Sequence, residues 1–322
     1  VCRIIEPHHG QDLPEGSVRV IFECPMLQYG GGDFVACFVD HEHVLRAQSQ
    51  EPIDFDLHSG GHTISIYPVH ANGTIFQGRG DHIRLCVGAP EKCSPADDDV
   101  LDVPTADGQD VGISCVNTFH VDLILYINLD FRLDRRRSFL HELGKFGCNE
   151  GSLVRLSAKW RPELPPFGCR DSHVAALTHA LVDNRTRTLI MEDDLSLTSR
   201  QPPSVVSTAI AEALKILETR GWDVLLLAGR LQRVERVADL GHVRDSLWLC
   251  RARMTGTTSG YIVHRGYVAT LRSIFENATR TAIDTQWVPY QDRDRFYIFC
   301  PALGEQLSGF SDIAKKWADH KV

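Results

Sequence analysis

The sequence predicts an α/β domain preceded by a small all-β, sandwich-like domain. Short β-branched and aromatic runs, parted by Gly, Pro and Asn, fill the first 115 residues. A stretch rich in Pro, Gly and Asp, without periodicity, follows them. Beyond it, apolar runs alternate with amphipathic helical patterns, the rhythm of a mostly parallel sheet covered by helices.

The N-terminal runs are "SVRVIFECPM", "FVACFVDHEHV", "GGHTISIYPV" and "HIRLCV", separated by "QYGGGD", "HSGG" and "HANG". Regular short strands with such turn signals suggest an antiparallel sandwich. Asn72-Gly73 suits a hairpin turn. Eight histidines fall within residues 1–115, six of them at 41, 43, 58, 62, 70 and 82. His41 and His43 would share a strand face, but two solvated loop histidines is the favoured reading. With no catalytic constellation, residues 1–115 read as a binding or positioning module. The segment "GAPEKCSPADDDVLDVPTADGQDVG" suits an exposed linker, spanning about 88–118.

The second domain, 116–322, opens with "VDLILYINL" (121–129), almost wholly apolar as in a strand buried on both faces. "DRRRSFLHELGKF" (134–146) sets Phe139, Leu140, Leu143 and Phe146 on one helical face. "SLVRLSA" reads as a strand. "DSHVAALTHALVD" (171–183) spaces Val174, Leu177 and Leu181 as a helix, with Asp171 or Ser172 able to cap it. "RTLIMED" is a strand, "PPSVVSTAIAEALKILETR" a helix with Pro at its start, and "WDVLLLAG" and "SGYIVHR" are further strands.

The 322 residues carry 34 Lys and Arg against 42 Asp and Glu, a net charge of −8 with no long basic run. That argues against a general nucleic-acid binder or a polybasic membrane binder. No run approaches the ~20 apolar residues of a membrane helix, so no membrane contact is expected from this segment. The sequence begins with Val1, which leaves room for a leader or anchor cut away. Ten cysteines occur without a CxxC pair, six of them within the first 115 residues, and sequons lie at Asn72, Asn184 and Asn277. This combination points to a secretory lumen, endoplasmic reticulum or Golgi, with disulfides. Reduced cysteines and chance sequons would instead fit a cytoplasmic or virus-encoded protein. Self-association is left open.

The chemistry concentrates in "TLIMEDD" (188–194), where an apolar strand ends in three carboxylates. Open parallel sheets bind ligands at the carboxyl ends of their strands. Adjacent carboxylates there are tolerable if a divalent cation neutralises them, and oxygen ligands suit Mg²⁺ or Mn²⁺. Strand alternation would turn Glu192 and Asp194 to one side and Asp193 to the other. A solvated acidic turn is the plain alternative. No GxxxxGK[ST], GxGxxG or GxSxG is present, so a P-loop, a dinucleotide fold and a hydrolase elbow have no support.

Several blocks, in order, resemble glycosyltransferase family 25, which includes bacterial lipooligosaccharide galactosyltransferases and animal procollagen galactosyltransferases. They are "YINLDFRLDRR" (126–136), "LVRLSA" (153–158), "GCRDSHVAALTHAL" (168–181), "LIMEDDLSL" (189–197), "DVLLLAGR" (223–230), "TTSGYIVHRGYVATL" (257–271), "AID" (282–284) and "PALGEQLSGFSDI" (301–313). Together they span about 120–313, some 60% of the chain. The N-terminal domain has no counterpart among them.

The resemblance implies a GT-A fold, a UDP-sugar donor, most commonly UDP-galactose, and Mn²⁺ or Mg²⁺ at an Asp-x-Asp-like motif. It also implies inverting transfer of a hexose to a hydroxyl of a glycan or a hydroxylysine-type acceptor. Under it Glu192 and Asp194 hold the metal, with Asp312 assisting, and Asp284 is the general base. Asn128, Arg132, Asp134 and Arg135 follow the first strand as nucleotide-side groups, with Asp193 beside them. Ser172 and His173 would face the donor from a helix N-terminus. Arg230 would reach the crevice from its strand end, and Gln306 and Ser311 would close it from the C-terminal segment. The sequence departs from the family in having Glu-Asp-Asp for a strict Asp-x-Asp, and Ala282 where proline is common. The competing classes are a non-catalytic glycan- or nucleotide-sugar-binding protein and a metal-dependent phosphohydrolase.

Overall fold

The computed structural model describes residues 2–39, 42–71, 81–88, 111–161, 164–278, 283–307, 309–311 and 316–318. His41, the Asn72-Gly73 turn, Ala282, Asp312 and linker residues 89–110 lie outside them. The chain is mixed α/β and groups into two units. The first is Val1–Leu101 with Leu129–Arg132 and Lys159–Pro162; the second is Asp102–Asn128, Leu133–Ala158 and Glu163–Val322.

The first unit contains β1 (Arg3–Glu6), β2 (Gln11–Leu13), β3 (Gly16–Glu23), β4 (Phe34–Val39), β5 (Glu42–Ala47), β6 (Ile53–Leu57), β7 (Gly60–Val69) and β8 (Asp81–Val87). They form a three-stranded sheet, β1-β3-β6, and a five-stranded sheet, β2-β8-β7-β4-β5. Every pairing is antiparallel except β2 with β8. Alternation builds the core: Ile53, Phe55 and Leu57 of β6 are buried while Asp54 and Asp56 face water. They share one cluster with Val18, Val20 and Phe22 of β3 and with Val35, Ile64, Ile66, Ile83 and Leu85 of the larger sheet. The Cys2–Cys24 disulfide fastens the chain ahead of β1 to the end of β3. The other face of β4 is also buried. Phe34 and Phe38 pack with Phe131 and Trp160, which the two outlying segments contribute. Phe38 and Phe131 stack at 3.9 Å between centroids.

The second unit begins with α1 (Val111–Phe119), β9 (Leu123–Asn128), α2 (Leu133–Gly144), β10 (Val154–Ser157), α3 (Pro165–Asp183), β11 (Arg187–Glu192), β12 (Leu195–Ser196) and α4 (Pro203–Arg220). It continues with β13 (Val224–Leu226), β14 (Arg230–Asp239), β15 (Trp248–Gly256), β16 (Gly260–His264), α5 (Arg265–Glu276), α6 (Ile283–Gln286), α7 (Val288–Arg293) and β17 (Phe296–Cys300). The short strands β18 (Glu305–Gln306), β19 (Gly309–Ser311) and β20 (Lys316–Ala318) complete it.

Its main sheet has the order β10-β9-β11-β16-β13-β17-β15-β14. All strands but β16 and β15 run the same way, so their carboxyl ends open on one edge. Yet only β10/β9, β9/β11 and β13/β17 pair in parallel, because β16 and β15 are inserted between co-directional neighbours. Successive residues of β9 enter opposite cores. Ile124 and Tyr126 join Phe139, Leu140 and Leu143 of α2 and Val206, Ile210 and Leu214 of α4. Leu123, Leu125 and Ile127 join Ala176 and Leu177 of α3 and Val268, Leu271 and Phe275 of α5. The wholly apolar "LILYI" is thus a strand covered by helices on both faces, each fully buried Leu or Ile contributing about 1.5–3 kcal/mol.

Three expectations need correction. α1 lies inside the expected linker, and Cys115 within it is disulfide-bonded to Cys148, just beyond α2. α3 starts at Pro165 rather than at 171; prolines at its first positions fix φ and lack N–H groups that would be unsatisfied there. Neither Asp171 nor Ser172 is therefore a cap. The long β14–β15 hairpin was not foreseen. β14 is an edge strand dense in charge, with Arg233, Glu235, Arg236 and Asp239, so it carries no apolar alternation. Among the described residues no helix is long and apolar enough to cross a membrane.

Candidate functional site

Polar side chains gather where the co-directional strands end. β9 ends at Asn128, which is buried, and β11 ends at Glu192. Asp193 and Asp194 then form a turn before β12. Asn128 Nδ2 donates to Asp193 Oδ2 at 2.7 Å. Arg135, from the first turn of α2, donates Nη1 to Asp193 Oδ1 at 3.0 Å and to Asp194 Oδ2 at 3.3 Å. Gln306 Nε2 reaches Asp194 Oδ2 at 3.1 Å, fixed in place because β18 pairs with β12. Arg155 of β10 holds Asn128 from the far side, Nε to Oδ1 at 3.1 Å.

Because the strand stops at Glu192, alternation does not extend to Asp193 and Asp194. Both aspartates meet Arg135, and Glu192 belongs to a different group. Glu192 Oε1 accepts from Thr258 Oγ1 at 2.7 Å and lies 3.3 Å from His173 Nε2. His173 Nδ1 lies 3.0 Å from the Tyr261 hydroxyl. Cys169 completes the group, with one donor atom each of Cys169, His173 and Glu192 within 4.8 Å of one another. Burial works to raise the Glu192 carboxyl, but the His173 hydrogen bond and charge, Thr258 and Arg135 together hold it below its ordinary value. Burial pushes the Cys169 thiol well up, and the charges of Glu192, Asp284 and Asp194 add to this. That thiol is therefore no ready nucleophile.

Asp284 sits in α6, beside the loop before β16. Its Oδ2 accepts from Thr257 N at 3.2 Å, and its Oδ1 is buried without a hydrogen-bond partner. Thr257 has φ of 72°. A β-branched residue in that region is strained, a feature that concentrates at functional sites. The loop links two groups, since Thr257 holds Asp284 while Thr258 and Ser259 hold Glu192 by side chain and backbone.

Ser172 and His173 are both buried, two turns inside α3 rather than at its N-terminus, and Ser172 Oγ donates to Gly168 O at 2.7 Å. A direct role for them at a helix-end anion site is thus overturned by the earlier helix start. Asp134 occupies the first turn of α2, where the helix N-terminus favours negative charge. Arg132 is buried and groups with the first unit. Arg230 is exposed at the start of β14; β13 already ends at Leu226. It lines a cavity of about 170 Å³ with Arg200, Gly229, Thr257, Gly304 and Gln306. Ser311 lies in β19, and Asp312 lies outside the described residues.

The sequence reading missed Arg155, Thr257, Thr258, Tyr261 and Cys169 as members of the site. "TTSGY" directly ahead of a buried strand was the available signal, since hydroxyls at a strand entry are placed to reach groups on its neighbours.

The loop carrying the aspartates is itself clamped. Glu142 of α2 accepts at Oε1 from Ser196 Oγ, Leu197 N and Thr198 N, and at Oε2 from Thr198 Oγ1 and Lys145 Nζ, all within 3.0 Å. Although burial opposes it, these donors hold the Glu142 carboxyl down from 4.5 to about 2.

No protein-family model and no curated protein matches the chain. Solved structures similar to it include fibronectin(III)-like modules of Clostridium thermocellum CbhA, at 14% identity and TM-score 0.24, covering 27% of this chain and 97% of that one. Another is the mannose-1-phosphate geranyltransferase of Thermus thermophilus, at 11% identity and TM-score 0.30, covering 54% and 57%. A third is the 4-diphosphocytidyl-2C-methyl-D-erythritol synthase of Anaerococcus prevotii, at 10% identity and TM-score 0.31, covering 61% and 79%. None of the three exceeds 14% identity, and the chemistry of the site rests on its own side chains.

Proposed function

We propose that the chain is an inverting, metal-dependent glycosyltransferase with a GT-A-like second domain, moving a hexose from a UDP-sugar to a hydroxyl acceptor. The observation that carries this is Arg135 bridging Asp193 and Asp194 at the open edge of the sheet, with Asn128 and Gln306 converging on the same carboxylates. A guanidinium there occupies the place of a positive charge that two carboxylates require. Their oxygen donors fit a hard dication, so Asp193 and Asp194, with Gln306 alongside, are the residues to hold Mn²⁺ or Mg²⁺. Bound there, such an ion would offset diphosphate charge and stabilise the departing UDP. Glu192 fits that role less well than the sequence reading had it, because its Oε1 faces His173 and Cys169 rather than the two aspartates.

The remaining steps fall to the protein's own groups. Arg135 and Asn128 orient the aspartates. Asp284, oriented by Thr257 N and with Oδ1 unsatisfied, takes the proton of the acceptor hydroxyl as that oxygen attacks the anomeric carbon. The cavity lined by Arg230 and Gln306 is smaller than the ~300–1,000 Å³ of sites that engulf a whole drug-sized ligand, and suits a single sugar-sized group. Galactose is the donor sugar the sequence resemblance favours. The Cys2–Cys24 and Cys115–Cys148 disulfides support an oxidising lumen. Asn184 and Asn277 are both exposed.

The test is a UDP-sugar screen with Mn²⁺, reading UDP release with and without glycan and hydroxylysine-peptide acceptors. Acceptor-stimulated release, lost in chelator and in Asp194→Ala, is expected. Release that ignores every acceptor, or that persists in chelator, would reject the reading.

A further inference from the structure

Cys169 and His173 stand one turn apart on the same face of α3, and Glu192 ends β11 opposite them. We propose that Cys169, His173 and Glu192 form a binding site for a borderline dication of the Zn²⁺ class, with a fourth position open. The site differs in place and chemistry from the Asp193–Asp194 pair, and it does not depend on the transferase reading.

Spacing is the first argument. Nitrogen and oxygen ligands of a tetrahedral zinc, each about 2.0–2.1 Å from the ion, lie about 3.3 Å from each other. His173 Nε2 and Glu192 Oε1 are 3.3 Å apart. That is beyond the usual N–H···O length of about 2.9–3.0 Å. The thiol is within 4.8 Å of both, so a small side-chain rotation brings it to bonding distance.

Orientation is the second. In the metal-binding tautomer, with its proton on Nδ1, His173 donates to the Tyr261 hydroxyl 3.0 Å away and leaves its Nε2 lone pair for the ion; without the ion, a proton on Nε2 serves the hydrogen bond to Glu192. Tyr261 is fully buried, and its ring stacks on His173 at 5.8 Å and 21°. This is the outer-shell arrangement that fixes metal-bound imidazoles. Thr258 plays the same part for the carboxylate.

Donor type is the third. A thiolate, imidazole and carboxylate set suits Zn²⁺ rather than Mn²⁺ or Mg²⁺, which favour oxygen donors over a soft thiolate. Access comes through the carboxylate, since the Glu192 side chain is 18% exposed against 1% for His173. On binding, the Cys169 thiol proton passes to bulk buffer and the ion takes the place of the His173–Glu192 hydrogen bond.

The experiment uses the full chain with its disulfides intact, titrated with Co²⁺ as a spectroscopic stand-in and then with Zn²⁺. One equivalent of Co²⁺ should give tetrahedral visible bands and a thiolate-to-cobalt charge-transfer band, both abolished by one equivalent of Zn²⁺. Cys169→Ser should lose the charge-transfer band. Tyr261→Phe should weaken Zn²⁺ binding by about ten- to a hundredfold. Because His173 is buried, His173→Gln is judged only if its circular dichroism matches the parent; Cys169→Ser carries the test otherwise. No cobalt binding by the parent chain overturns the proposal. So does a charge-transfer band that survives Cys169→Ser or disappears in Cys250→Ser.

Discussion

Glu142→Gln isolates the clamp that holds the aspartate loop. Glutamine keeps an oxygen for Ser196, Leu197 and Thr198 but turns an amide donor toward Thr198 Oγ1 and Lys145 Nζ, which the carboxylate oxygen had accepted. The folded carboxyl titrates at about 2 against 4.5 ordinarily. Its folded value is depressed, so the ionised clamp stabilises the protein fully above about pH 4.5, and this is lost as pH falls toward 2. At 1.36 kcal/mol per unit, the parent should exceed Glu142→Gln by about 3 kcal/mol at pH 7 and about 2 kcal/mol at pH 3.5. Urea unfolding at pH 7, 5.5, 4.5 and 3.5, followed by tryptophan fluorescence, measures the difference; Trp222, Trp248 and Trp287 all report on the second unit. A gap that stays constant from pH 7 to 3.5, or that is below about 1 kcal/mol at pH 7, would refute the assignment of a charged clamp.

Arg135→Met removes the cation between two aspartates whose side chains are 8% and 9% exposed, and should cost about 3–5 kcal/mol. Mn²⁺ should restore part of the lost Tm, and no Mn²⁺ effect would speak against those carboxylates as its ligands. Asp284→Asn should lower transfer by about 10²–10⁴-fold with UDP binding little changed, and a near-parental rate would move the base elsewhere. An α-linked donor should give a β-linked product by NMR coupling, and a retained configuration would reject single displacement. Gly304→Ala should destabilise by about 1–3 kcal/mol in thermal melts, because its Cβ would lie 2.8 Å from the Ser196 carbonyl oxygen. Gln291→Leu should cost at least as much, since Thr255 N and O both bond to that buried carboxamide.

Much of the scaffold was legible along the chain. The apolar run at 123–127 could only be a strand buried on both faces, because polar positions are missing from either side of its alternation. Proline and glycine punctuation marked α4, with Pro203 at its start and Gly221 just past its end. The β14–β15 hairpin was opaque, because edge strands put charge where a buried strand shows apolar alternation. α1 was opaque too, since its disulfide to Cys148 depends on a pairing that spacing does not fix.

At the site the sequence by itself determined the concentration of charge. Three consecutive carboxylates after an apolar strand must meet positive charge or water, and "EDD" announced that need locally. Which carboxylate meets which cation was decided only by tertiary structure. β11 ends at Glu192, and the turn beyond it carries Asp193 and Asp194 to Arg135. Glu192 faces His173, nineteen positions away in sequence, and Thr258, sixty-six away. Such partners come from separate helices and strands brought to one sheet edge. The register that joins them is set by packing over the whole domain, not by any local pattern of residues.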